Sequence, residues 1–218
     1  MRFRKFRFLL VYPFAVGLFV TSNVSEFSLR LGALFLLLGE ALRLWANGYV
    51  GHVKVNWTEK ERTAQKIGQL ITAGPYEHIR HPLYLGTFLI GLGFCITSRN
   101  IWLGITAVVL FSIVYNQKVR EEEEVLLHEW GQEYDEYQQL VPRWGISFSS
   151  YHESRGVWNW QGIWASKELK TVIWVIICLI ALYLKKEGLR HPLLILLCVI
   201  LIISDGVLEL WKHRIEKN

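Results

Sequence analysis

The chain has 218 residues, 52% of them hydrophobic and only 20% charged, with 10 Trp, a balance too apolar for a soluble domain of this length and natural for a polytopic membrane protein. A formal net charge of +5 does not point to nucleic acid, because the basic residues sit beside hydrophobic runs, where they meet lipid headgroups. Cys95, Cys178 and Cys198 all fall inside apolar runs and read as small buried hydrophobes, neither a disulfide framework nor a metal site.

In chain order, a basic start (Arg2, Arg4, Lys5, Arg7) precedes an apolar run at 8–20, read as a first transmembrane helix with its N-terminus in the cytoplasm rather than a cleaved leader. A second run, 27–48, carries Glu40 and Arg43 one turn apart; at membrane depth these read as an i,i+3 ion pair that orients the helix, with a substrate role as the alternative. Residues 49–73 are polar and, by the positive-inside rule, cytoplasmic. Gly74-Pro75 then breaks the chain, and His81-Pro82 sets a second corner, so that a helix is predicted to begin at Pro82. The apolar runs 83–97 and 101–115, joined by Ser98-Arg99-Asn100, predict a tight hairpin in which Arg99 snorkels. Gly86, Gly91 and Gly93 in the first of these read as close helix packing, since no strand precedes them to make a dinucleotide loop.

Residues 116–140 predict a polar helix back in the cytoplasm, with Leu126, Trp130, Tyr134 and Tyr137 on one face, ended by Val141-Pro142. The stretch 147–170 reads as an interfacial linker with Trp158, Trp160 and Trp164 at headgroup level. Apolar runs at 171–184 and 192–204 complete the chain; the basic loop between them lies outside in this topology, against the positive-inside rule, and the alternative is that the two runs form a re-entrant or interfacial pair. The fold class expected is an all-α integral membrane protein, a multi-pass bundle of about six hydrophobic segments with a cytoplasmic pocket and both termini in the cytoplasm.

The chemistry concentrates in Gly74-Pro-Tyr-Glu-His-Ile-Arg-His-Pro-Leu-Tyr-Leu-Gly86, where Tyr76, His78, Arg80, His81 and Tyr84 converge at the mouth of a membrane helix. A second motif follows: Glu121–Glu124, Leu126, Trp130-Gly131, Tyr134, Tyr137 and Val141-Pro142-Arg143. Together, over residues 40–145, these resemble the isoprenylcysteine carboxyl methyltransferase family, membrane enzymes that use S-adenosylmethionine. The resemblance implies a single membrane domain over 1–218, with a methyltransferase core at 40–145 and, at 146–218, the interfacial linker plus a C-terminal hydrophobic helix pair. It implies a cofactor site of Gln69, Leu70, Ile71, Tyr76, Arg80, His81, Pro82, Leu83, Tyr84 and Glu122, with the acidic pair at Glu122 and Glu123.

For S-adenosylmethionine, Arg80 or His81 would meet the carboxylate, and Glu122, Tyr76 and Tyr84 the cationic groups. The implied catalytic set is Glu122, Glu123, Arg120 and Lys118, with Lys118 where the family usually has an Arg for an acceptor carboxylate. No metal is called for. The implied partner is a membrane lipid or lipidated substrate, with a prenylcysteine carboxylate as the leading acceptor. A phospholipid amine, deprotonated or positioned by Glu123, is the alternative. An NADPH-dependent reductase of the same superfamily is a weaker one, its bundle being longer and its cofactor motifs different. Arg143 reads equally as a headgroup contact, His78 equally as a surface residue, and Tyr134 and Tyr137 as packing.

Overall fold

A computed structural model describes residues 17–54, 70–149, 151–165 and 168–188. Most of the first hydrophobic run, Gln69 and the run at 192–204 lie outside the described residues. The elements are α1 (Glu26–Lys54), a 3-10 turn (Gly74–Glu77), α2 (Pro82–Ser98), α3 (Ile101–Trp130), α4 (Gln132–Leu140), α5 (Trp160–Ala165) and α6 (Glu168–Lys186). Residues 17–21 are helical as well, and there is no strand among the described residues.

Helix α2 starts at Pro82, whose missing N–H costs nothing in a first turn, and stops at Arg99, which caps it in the left-handed region at φ 55°. Asn100 opens α3 by accepting from Leu103 N at 3.2 Å. Two expectations change downstream. The apolar run and the polar helix after it are one continuous helix to Trp130, because no Gly or Pro interrupts 116–130 and the residues there are mostly strong helix formers. The break comes at Gly131, with φ 54°, and the remaining polar stretch of 9 residues becomes α4. The interfacial linker likewise contains α5 and the first turn of α6.

Helices α1 and α2 run antiparallel with their backbones in contact through two glycine pairs seven residues apart on each helix. A Cβ on Gly32 would fall 2.6 Å from the Gly93 carbonyl and 1.9 Å from Thr97 Oγ1, and one on Gly39 would fall 2.7 Å from the Gly86 carbonyl. The converse holds: a Cβ on Gly93 or Gly86 would lie 2.8 Å from the carbonyl of its partner glycine. Gly91, expected in the same seam, has open space around its Cα instead; it lies off the arc that 86 and 93 share.

The ion pair expected between Glu40 and Arg43 does not form. Arg43 Nε donates to Glu168 Oε1 of α6 at 2.5 Å, Nη1 donates to Thr87 Oγ1 of α2, and Asn47 Nδ2 donates to Glu168 Oε2 at 2.7 Å. Three elements meet there. A planar guanidinium fork can serve a carboxylate and a hydroxyl at once, which a partner one turn back on its own helix cannot match. Neither carboxylate oxygen of Glu40, itself buried, has a hydrogen-bond partner among the described residues.

At the other end, Lys185 Nζ donates to Ser22 O and Ser22 Oγ, each at 2.8 Å, and to Val20 O at 3.2 Å, while Lys186 pairs with Glu26 at 2.9 Å. Both lysines at the end of α6 are thus consumed in tying it to residues 20–26. Helix α3 is long and apolar enough to cross a membrane. Large apolar side chains stand exposed on three helices (Leu37 and Leu38 on α1, Trp102, Ile105 and Ile113 on α3, Ile173, Ile176 and Ile180 on α6), far more bare apolar surface than water tolerates.

The glycine seam yields a contrast between two substitutions. Gly39→Val forces a side chain into the Gly86 carbonyl and should lower stability by about 1–3 kcal/mol, whereas Gly91→Ala, with room and a gain in helix propensity, should be neutral or slightly stabilising. Unfolding in detergent, followed by circular dichroism, reads both.

Candidate active site

The segment 74–81 is too short and too broken to hold its own shape, and other segments hold it. Gly74, at φ 65°, lies against the Tyr49 ring, where a Cβ would sit 2.3 Å from a ring carbon. Its N–H and Ser154 Oγ both donate to Glu77 Oε1, at 3.2 and 2.8 Å. Tyr137 OH of α4 donates to the Tyr76 carbonyl at 2.7 Å, Arg80 N donates to Pro142 O at 3.1 Å, and Ser147 N donates to His78 O at 2.9 Å. His78 Nδ1 meets Ser147 O at 2.9 Å, which gives it a structural partner. The chain after α4 thus runs beside the box and fixes its backbone.

Helix α3 then brings the acidic pair to it. Glu123, buried, receives three basic groups: Arg80 Nη1 at 2.9 Å, His81 Nε2 at 3.0 Å, and a two-pronged contact from Arg143, whose Nε lies 3.1 Å away and whose Nη2 meets the second oxygen. Glu122, half exposed, accepts from Tyr84 OH at 2.7 Å and lies 3.9 Å from His81 Nδ1. The Tyr84 ring stacks on His81 with centroids 5.6 Å apart and meets Tyr115 edge-on at 5.2 Å, and Lys118 Nζ lies 4.8 Å above it.

Burial alone would push the Glu123 carboxyl up. Its hydrogen bonds with His81 and Arg143 and the charge of Arg80 outweigh that and hold it at about 2. Burial pushes the Tyr76 hydroxyl well above its ordinary value, with Glu122 and Tyr137 adding to it, and raises Tyr134 to about 12. Glu123 is therefore a fixed anion and a weak base, and the two tyrosines stay neutral.

Of the residues singled out from the sequence, Tyr76, Arg80, His81, Pro82, Tyr84, Lys118, Glu122 and Glu123 come together here. Leu83 enters through its carbonyl, which accepts from Thr87 Oγ1 at 2.9 Å. Leu70 packs into a core of Tyr134, Tyr137, Val141 and Tyr151, and Ile71 lies against Gly156. Arg120 is exposed on α3 and is not brought to the site. Arg143 is the residue the motif reading undervalued. The signal for it was present, in a Pro-Arg step that ends a helix and turns a guanidinium back across the chain. Tyr115 also went unnoticed, since its apolar neighbours made it look like part of a membrane run.

Residues 32–128 match the isoprenylcysteine carboxyl methyltransferase (ICMT) family. Over 121 residues, 54% of this chain, it is 33% identical to the human protein-S-isoprenylcysteine O-methyltransferase (Homo sapiens), of which that stretch is 40%. The Schizosaccharomyces pombe protein of the same name is 31% identical over 112 residues, 50% of this chain and 45% of its own length. The cobalt-zinc-cadmium resistance protein CzcN of Cupriavidus metallidurans is 32% identical over 141 residues, 63% of this chain and 56% of its own. The chain thus spans about half the length of the curated relatives it matches. No solved structure matches it. The ICMT match covers α2 whole and α3 through the acidic pair, but ends before Arg143.

The Glu123 carboxyl titrates near 2 in the folded chain and at 4.5 in the unfolded one, so the unfolded state takes up the proton first. Its contribution, about 3 kcal/mol for a shift of that size, is present in full above the unfolded value and is lost as pH falls from there toward 2. Glu123→Gln should cost about 3 kcal/mol at neutral pH, since it takes the anion from the mostly buried Arg80 and from the partly exposed Arg143, and should flatten the acid limb of a stability-versus-pH curve.

Proposed function

We propose that the chain is a multi-pass integral-membrane methyltransferase that uses S-adenosylmethionine and acts on an amphiphilic acceptor such as a prenylcysteine carboxylate, with its site at the cytoplasmic face. The observation that carries this reading is the return of the α3 acidic pair onto the Arg-His-Pro turn, Glu123 on Arg80 and His81 and Glu122 on Tyr84. It joins both motifs in one place. The names of the relatives supply the reaction type.

The residues present fit such a cofactor. Arg80 Nε is buried without a hydrogen-bond partner among the described residues, a donor in want of a carboxylate. Glu122 keeps a half-exposed carboxylate for an ammonium, and the Tyr84 and Tyr115 rings offer aromatic surface for a cation. Tyr76, Arg80, His81, Pro82, Leu83, Tyr84 and Glu122 would hold the cofactor, with Leu70 and Ile71 leading in. When bound, it supplies an electrophilic methyl group on a sulfonium.

The state of Glu123 favours a carboxylate over an amine as acceptor. An ammonium must lose a proton before it can attack, and a carboxyl held near 2 by three basic groups is a poor base for that task. A carboxylate needs no base, only a cation to hold it, and Lys118 above Tyr84 is placed to orient one. The bare apolar belt on α1, α3 and α6 supports entry of the acceptor's tail from the bilayer, its head reaching the site end.

Purified protein with methyl-labelled S-adenosylmethionine should transfer label to a prenylcysteine analogue. Transfer to an ethanolamine lipid alone would overturn the carboxylate reading, and transfer only to a soluble, tail-less acceptor would overturn membrane access. Tyr84→Ala and Glu122→Ala should each weaken cofactor binding by about 1–3 kcal/mol in calorimetry, the cost of losing a hydrogen bond to a charged group.

A further inference from the structure

The site helix α2 is gripped from its far side by a polar cluster that no motif contains. Gly86 lacks a side chain where Arg43 needs room: a Cβ there would fall 2.5 Å from Arg43 Cγ. The stem of Arg43 therefore lies flat on α2, and its guanidinium reaches the first turn, where Nη1 donates to Thr87 Oγ1 and approaches Leu83 O at 3.5 Å. The groups facing it are Glu40 and Asn47 from α1, Leu83 O and Thr87 from α2, and Glu168 from α6. Glu168 is buried, with its two oxygens taken by Arg43 Nε and Asn47 Nδ2. The turn that Arg43 grips is the one that carries the chemistry: His81 O accepts from Tyr84 N and Leu85 N, each at 3.1 Å, and the Tyr84 and His81 rings stack above it.

We infer that Arg43, clamped by Glu168, is a positioning residue for the candidate active site, setting the rotation of the first turn of α2, and so of His81 and Tyr84, through Thr87 and the Leu83 carbonyl. Glu168 lies outside the residues matched to the ICMT family, so α6 contributes to the site from a part of the chain outside that match. A guanidinium in this setting is rigid only while its anion stays, because an uncompensated buried charge relaxes toward water or any other partner. Glu40, one turn away with both oxygens unpartnered, is the competing partner that Glu168 excludes.

The kinetic arm of the test rests on the methyl-transfer reading; the spectroscopic arm does not. The 15N imidazole signal of His81, assigned by its loss in His81→Asn, reports the hydrogen bond to Glu123 with or without turnover. In Thr87→Val and Glu168→Gln that signal should move, and turnover should fall about tenfold with acceptor KM within about twofold, because a misplaced group costs rate more than affinity. Thr87→Ser, which restores the hydroxyl, should return both to the parent values, and Glu40→Gln should leave both unchanged. Should Glu168→Gln fail to fold, Thr87→Val carries the test alone. An unmoved His81 signal in a folded Thr87→Val protein would reduce the cluster to a helix brace and overturn the inference, as would a Glu40→Gln variant that behaves like Glu168→Gln. A moved signal with no methyl transfer in the parent protein would uphold the positioning role and overturn the methyl-transfer reading instead.

Discussion

Everything at the site end turns on one buried carboxylate. Glu123 lies where the Arg-His turn before α2, the acidic stretch of α3 and the chain after α4 come within contact, and it satisfies basic groups from the other two. Two arginines meet Glu123, and Glu122, 3.9 Å from His81, brings a second carboxylate to the locus. Such an arrangement is costly to assemble in low dielectric and is stable only when complete, so the three segments are either all in place or all displaced.

Helix α2 is held from two sides by different physics. Toward α1 it offers glycines, and backbone meets backbone with no side chain between. Toward α3 it offers aromatic rings: Phe88 on Phe111 at 5.0 Å, Phe111 on Tyr115 at 4.1 Å, and Tyr115 on Tyr84 at 5.2 Å. The glycine side fixes distance with little tolerance. The aromatic side ends at Tyr84, so the packing of the apolar helices is continuous with the wall of the candidate site.

Much of this was legible locally. Pro82 marked the start of α2, Arg99-Asn100 the hairpin, and the two motifs the residues that converge. What escaped was pairing across long separations. Glu40 and Arg43 are three residues apart and of opposite sign, yet the true partner of Arg43 is 125 residues on, in a helix whose approach no local pattern encodes. Gly91 resembled its neighbours in composition and differed only in azimuth, which a list of small residues does not show. Arg120 and Lys118 looked interchangeable as cations near the acidic run; the helix puts one toward Tyr84 and the other into the open. The break in the long polar helix was visible as Gly131, but whether a glycine bends or is tolerated depends on what packs around it.

Helix α3 spans 30 residues without interruption, about 45 Å at 1.5 Å per residue. Its bare apolar half and its acidic half are therefore one rigid rod. Tilting is one way such a helix meets a bilayer that thins or thickens, and there is no joint before Gly131 at which the tilt could be absorbed. Tilt at the lipid end becomes displacement of Glu122 and Glu123 at the other, against a turn that α1 and α6 hold in place. In this architecture the thickness and order of the surrounding membrane are mechanically coupled to the alignment of the site, with the helix acting as the lever.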